Sequence, residues 1–153
     1  LIKKIILILF FWEAMLFCPP ISALSDFRDE QKKEEQVQIP DLIKAIISVE
    51  SSWVTNAVSH KGAVGLMQVT QDGLDEYNRI HASDYLIGDL FNPEINLMIG
   101  KSLIYDRKIP MCGGDLICAL NVYNMGWGNA RKGKTNWSYI SKVLSEIGRI
   151  GGE

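Results

Sequence analysis

The sequence predicts a mainly α domain, a bundle of five or so helices with one short β-hairpin inserted after the helix that ends in Glu50. Three observations carry this. Apolar residues recur at helical spacing in several separate blocks, and those blocks are bounded by capping residues, prolines and glycines. The period is lost over residues 54–69, where turn-forming and extended-type residues take over. A length of 153 residues suits one such domain, long enough to bury a core and short for two.

Taken in order, Lys3 and Lys4 precede an apolar run from Ile5 to Trp12, followed by Pro19, Pro20 and small residues around Ala23. This is the order of a secretory signal peptide, so residues 1–24 are expected to direct export to the periplasm or cell envelope. The rival is a retained anchor, for which the run is short against the roughly 20 residues of a span. Cys18 suits a lipid-modified cysteine poorly, because bulky Phe17 precedes it. Residues 25–36, "SDFRDEQKKEEQ", bury little and read as a charged leader or a solvated helix.

The domain proper is expected over 37–148, with 149–153 as a tail. Pro40 opens a helix whose stripe is Leu42, Ile43, Ile46, Ile47 and Val49. Asn56, Ser59, Gly62 and Gly65, among Val64, Leu66 and Val69, give the hairpin, and Asp72 to Asn78 a short helix. Asn92 caps and Pro93 starts the next helix, with Ile95, Met98, Ile99, Ser102 and Leu103 as its inward stripe, ended by Pro110 and Gly113-Gly114. Asp115 caps a helix through Leu116, Ala119, Leu120 and Tyr123. After the turn "NMGWGNARKGK", Asn136 caps a last helix with Trp137, Ile140, Val143, Leu144 and Ile147 inward and Gly148 as its stop.

Sixteen basic against eighteen acidic residues, net −2, give no field toward nucleic acid or an anionic membrane. Beyond the leader the cysteines are Cys112 and Cys118, which in an oxidising compartment either close a small loop as a disulfide or remain two thiols. They lack the partner ligands of a zinc site, and His60 and His81 have no paired metal spacing, so neither metal nor organic cofactor is expected.

Glu50 is the residue that bears on chemistry. It lies seven after Ile43, four after Ile46 and three after Ile47, on the apolar stripe and at the helix end. Such an acid either reaches solvent past the core edge or is partly buried. Burial and the negative end of the helix dipole would both disfavour its charged form and keep it protonated near neutrality. A protonated carboxyl is what a general acid needs to act on a poor leaving group such as a sugar oxygen.

Five stretches, "AIISVESSW", "NAVSHKGAVGLMQV", "NPEINLMIGKSLIYD", "VYNMGWGNA" and "YISKVL", resemble in order and approximate spacing the catalytic domain of the soluble lytic transglycosylase family, related in fold to goose-type lysozyme. The resemblance runs from about Val37 to Leu144 and implies a lysozyme-like α+β fold. It implies that Glu50 is the single catalytic acid and base, with Ser51 beside it. It places Ser59, Gly65, Met67, Gln68, Tyr123, Asn124 and Tyr139 on the substrate side. Ser59 and Gln68 would hold an N-acetyl group or the acid, Met67 would pack on a sugar face, Tyr123 would orient Glu50, and Asn124 would bind saccharide or brace the turn before Gly126. Without those motifs, Met67 and Tyr123 read as core residues. Val122 in place of alanine and "VTQ" at 69–71 depart from the family pattern without touching the acid. The implied partner is the glycan strand of peptidoglycan, cut by a monomer between N-acetylmuramic acid and N-acetylglucosamine. Small size adds the expectation of a role with secretion, conjugation or pilus machinery.

Overall fold

The computed structural model describes residues 39–152. The signal peptide and charged leader expected over 1–36 lie outside them. Helix α1 (Asp41–Ser51) follows Pro40 and α2 (Gln71–His81) is capped by Thr70, whose side chain accepts from the Gly73 N–H. A 3-10 turn (Ile87–Phe91) leads into α3 (Pro93–Ser102), which continues through a π-helical segment (Leu103–Lys108) into α4 (Ile109–Met111). Then come α5 (Leu116–Met125), α6 (Trp127–Ala130) and α7 (Trp137–Ile150). The caps expected at Asn92, Asp115 and Asn136 form, each side chain accepting from backbone N–H groups of the first turn.

The core is one cluster centred on α1. Ile43, Ile46 and Ile47 are fully buried, and α7 packs along α1 through Ile140 and Val143. The inward face of α3 differs from the expected stripe. Met98 is 40% exposed, whereas Asn96, Ile99, Gly100 and Leu103 face inward at i, i+3, i+4 and i+7. The face is turned because Asn96, a polar residue, is wholly buried and spends its amide on three backbone groups. Two further expectations move for local reasons. Pro110 falls in the first turn of α4, where its missing N–H costs little, so the chain stays helical to Met111. Gly148 does not stop α7, which runs two residues on while Ile147 and Ile150 pack against the core; a glycine inside a helix costs only about 1 kcal/mol.

No regular hairpin follows α1 among the described residues. Val64 instead forms isolated antiparallel bridges with Val58 and with Val69, so the stretch is a folded loop with Val64 at its middle. Cys112 and Cys118 are joined by a disulfide with Cα atoms 5.8 Å apart, closing the Gly113-Gly114 turn between α4 and α5.

Candidate active site

Glu50 is the penultimate residue of α1, half-buried at the edge of the core. Burial raises its carboxyl above the ordinary value, and an interaction with the Tyr139 hydroxyl offsets part of that rise. Tyr139 stands in the first turn of α7, where the Asn136 cap accepts from its N–H and the α1–α7 packing brings its ring to the acid. Its hydroxyl lies against Glu50 yet makes no hydrogen bond of ordinary geometry with any described residue. Burial and the nearby Glu50 charge push the Tyr139 phenol upward, and the same two causes raise Tyr123. One carboxyl and two phenols therefore lie close enough to feel one another's charge, and both phenols stay protonated donors at any ordinary pH.

The chain leaves α1 under strain. Ser52 (φ 51°) and Trp53 (φ 67°) are consecutive left-handed residues, a conformation that disfavours side chains with a Cβ, and they leave the Trp53 side chain 49% exposed three residues past the acid. Ser51 Oγ donates to the Ile47 carbonyl at 3.2 Å, capping the helix from within.

The loop 57–69 forms a wall of the core beside this helix end. Ser59 Oγ accepts from the N–H of Ala63 at 3.0 Å and of Lys61 at 3.3 Å, which leaves its own proton available. Gln68 uses its amide N–H groups on Gly65 O (3.0 Å) and Ala57 O (3.2 Å), so it braces the loop, with its carbonyl oxygen left for other contacts. Met67 is fully buried, and the sugar-stacking role implied for it is not open to a side chain without exposure. It packs on Gly100, where an added Cβ would fall 2.8 Å from its own. The Met67 backbone is instead the joint of the loop: its N–H donates to Asn96 Oδ1 at 2.8 Å and its carbonyl accepts from Tyr123 Oη at 2.8 Å. Tyr123 thus spends its hydroxyl on the loop and not on Glu50, which it influences only through space. Gly65 (φ 77°) cannot carry a side chain, because a Cβ there would lie 2.7 Å from the Leu90 carbonyl oxygen and against the Asn96 side chain. Asn124 is exposed and accepts from Asn136 Nδ2 at 2.9 Å, bracing the turn after α5.

Asn96 is the residue that motif reading passes over. It holds Met67 N–H, Val64 O (2.8 Å) and Leu90 O (3.0 Å), binding the loop to α3 and to the 3-10 turn. A signal existed, since Asn96 shares the helical face of Ile99, Gly100 and Leu103. Asn121 acts similarly behind the second loop, through Lys134 O and Asn136 N, both at 2.9 Å. A shallow depression of about 640 Å³ between α1 and α7, lined by Ser48, Val49, Lys142 and Glu146 among others, does not include Glu50. Among the described residues no His, Cys, Asp and Glu group is arranged to hold a metal ion.

A small helical domain of the lysozyme-like class, with one half-buried glutamate closing its central helix near the buried Tyr139 and the partly buried Tyr123, is what fold and site define together. Residues 28–142 match the family model described as the transglycosylase SLT domain, and the chain belongs to that family. Two solved structures share the fold. The 70 kDa soluble lytic transglycosylase of Escherichia coli is 26% identical with a TM-score of 0.62, over 72% of this chain and 21% of that one. An inactive mutant of the lytic transglycosylase Slt from Pseudomonas aeruginosa is 24% identical with a TM-score of 0.61, over 70% and 20%. The chain therefore spans about a fifth of the length of either protein.

Proposed function

We propose that the chain is a peptidoglycan lytic transglycosylase that cuts the β-1,4 bond between N-acetylmuramic acid and N-acetylglucosamine, with Glu50 as its only proton shuttle. The observation that carries this is the Glu50 carboxyl itself, raised by burial at the end of a core helix in a chain of the transglycosylase family. Protonated Glu50 gives its proton to the bridging oxygen as the glycosidic bond breaks, and the acetamido oxygen of the muramic residue stabilises the charge left at the anomeric carbon. The Glu50 carboxylate then takes the proton of the muramic C6 hydroxyl while that oxygen bonds to the anomeric carbon. The product is a 1,6-anhydro end, the acid is restored, and no water is consumed. Ordinary glycosidases place two carboxyls about the bond. Here no Asp or Glu occurs between Glu50 and Asp72, in keeping with a one-acid scheme.

Export to the periplasm or cell envelope belongs to the same proposal, supported by the order of Lys3, Lys4 and the apolar run that follows. Service to a secretion, conjugation or pilus machine belongs to it too, an expectation from small size alone. Mass spectrometry of the fragments released from purified peptidoglycan tests the reaction. Anhydro-muramyl ends are expected; reducing ends would reassign the chain as a lysozyme-type hydrolase, and no release over a range of pH and salt would make it a wall-binding component.

A further inference from the structure

The segment from the end of α5 through α6 to the first residue of α7, residues 126–137, reads "GWGNARKGKTNW" and contains Arg131, Lys132 and Lys134 with no acid, in a chain whose net charge is −2. All three cations are exposed, and none forms an ion pair with a described acid. Trp127 and Trp137 at its two ends are 46% and 63% exposed, an outlay of apolar surface that folding alone does not reward. The loop is nevertheless held in one shape. Asn121 binds Lys134 O, Asn129 binds Met125 O at 2.9 Å, and Asn136 is fixed to both Asn121 and Asn124. Ordering of this kind lowers the entropy lost when a ligand docks. Asn136 also accepts from the N–H of Tyr139, whose hydroxyl lies against Glu50, so the loop is tied to the helix start that carries this tyrosine.

We propose that this loop binds the acidic peptide stems that peptidoglycan carries on its muramic residues, an inference that rests on the function proposed above. The glycan itself offers mostly neutral hydroxyl and acetamido groups, which give three cations with no acid partner among the described residues little to bind. The stem carboxylates are ionised at neutral pH and covalently close to the bond Glu50 would cut. The two indoles present flat faces for the aliphatic parts of the stem or for a neighbouring sugar ring, and indole faces also favour contact with cations. Contacts of exposed charges are screened by salt, so stem binding should be salt-dependent while glycan binding is not.

The test is binding, read by fluorescence anisotropy, of the full chain carrying Glu50→Gln, so that nothing is cut, to soluble glycan strands that keep their stems after endopeptidase release from sacculi, and to strands stripped of stems by an amidase with the freed lactyl carboxylates capped as methylamides. Stripping should weaken binding by about fivefold to tenfold at low salt. The triple variant R131Q/K132Q/K134Q should bind stem-bearing strands as weakly as the parent binds stripped ones, with no further loss on stripping, while K132R/K134R keeps the parent's affinity. Unchanged binding by the triple variant overturns the proposal. So does an equal loss on stem-bearing and stripped strands, or a loss seen with anionic phospholipid vesicles and not with strands. A chain that binds neither material overturns this inference, and the fragment masses described above then decide the fate of the enzymatic reading separately.

Discussion

Two glutamates on the most closely packed helices, Glu50 of α1 and Glu146 of α7, are the same side chain put to opposite uses. Glu146 is half-buried like Glu50 but gripped by the exposed Arg149, with Nη2 at 2.8 Å and Nε at 3.1 Å, and Arg149 and Ser48 hold its carboxyl below the ordinary value. Glu50 meets apolar burial and a phenol where Glu146 meets a guanidinium, and its carboxyl rises. Environment thus selects the acid. Glu146 is committed to its anion, and Glu50 can hold a proton and give it up.

The sharpest way to break this contrast is to neutralise each in turn. Glu50→Gln should lower anhydro-product formation by about 10²- to 10⁴-fold, the range for loss of a general acid, whereas Glu146→Gln should stay within about twofold by the same assay. Next in size is the wall beside the acid. Asn96→Ala strands the Met67 N–H and the Val64 and Leu90 carbonyls in the core and should lower stability by about 3–5 kcal/mol in urea unfolding. Gly65→Ala follows at about 2–3 kcal/mol, from an unfavourable φ together with overlap on Leu90 O.

Stability against pH separates the glutamates by sign. The folded-state value of Glu50 lies above its unfolded 4.5, so its contribution is complete below 4.5 and is lost as pH rises through the folded value. Glu50→Gln should therefore gain stability over the parent as pH climbs from 4 to 7. Glu146, held below 4.5, contributes above that value and loses its contribution as pH falls through its folded value, so Glu146→Gln should lose a little at pH 7 and nothing at low pH. Thermal melts across that range read both slopes. The smallest effect is Tyr139→Phe. Deleting a hydroxyl with no well-formed bond should change stability by less than about 1 kcal/mol, yet it removes the interaction that lowers Glu50 and should shift the alkaline limb of the pH–rate profile, where the acid loses its proton, to higher pH.

Much of the helical frame is local and so was readable from the chain. The α1 stripe placed Glu50, and Asn92, Asp115 and Asn136 announced helix starts because capping acts within three residues. What escaped was long-range. Asn96 looks like an outward polar residue until its partners, 29 and 32 positions away, are known. Tyr123 finds Met67 across 56 residues, which no spacing rule foretells. The meeting of Tyr139 with Glu50 depends on how α7 lies along α1, and resemblance to a family pointed to that tyrosine where periodicity did not. The hairpin was over-read for a related reason: alternating valines suggest strands, whereas the side chains of Asn96, Gln68 and Ser59 take up backbone groups that a ladder would have used.

The most direct measurement is a ¹³C NMR titration of the side-chain carboxyls, with Glu50 and Glu146 assigned by their glutamine variants. The account predicts a Glu50 midpoint clearly above 4.5 and a Glu146 midpoint below it. A Glu50 midpoint at or below 4.5 would contradict the claim that burial at the end of α1 prepares this carboxyl to act as an acid.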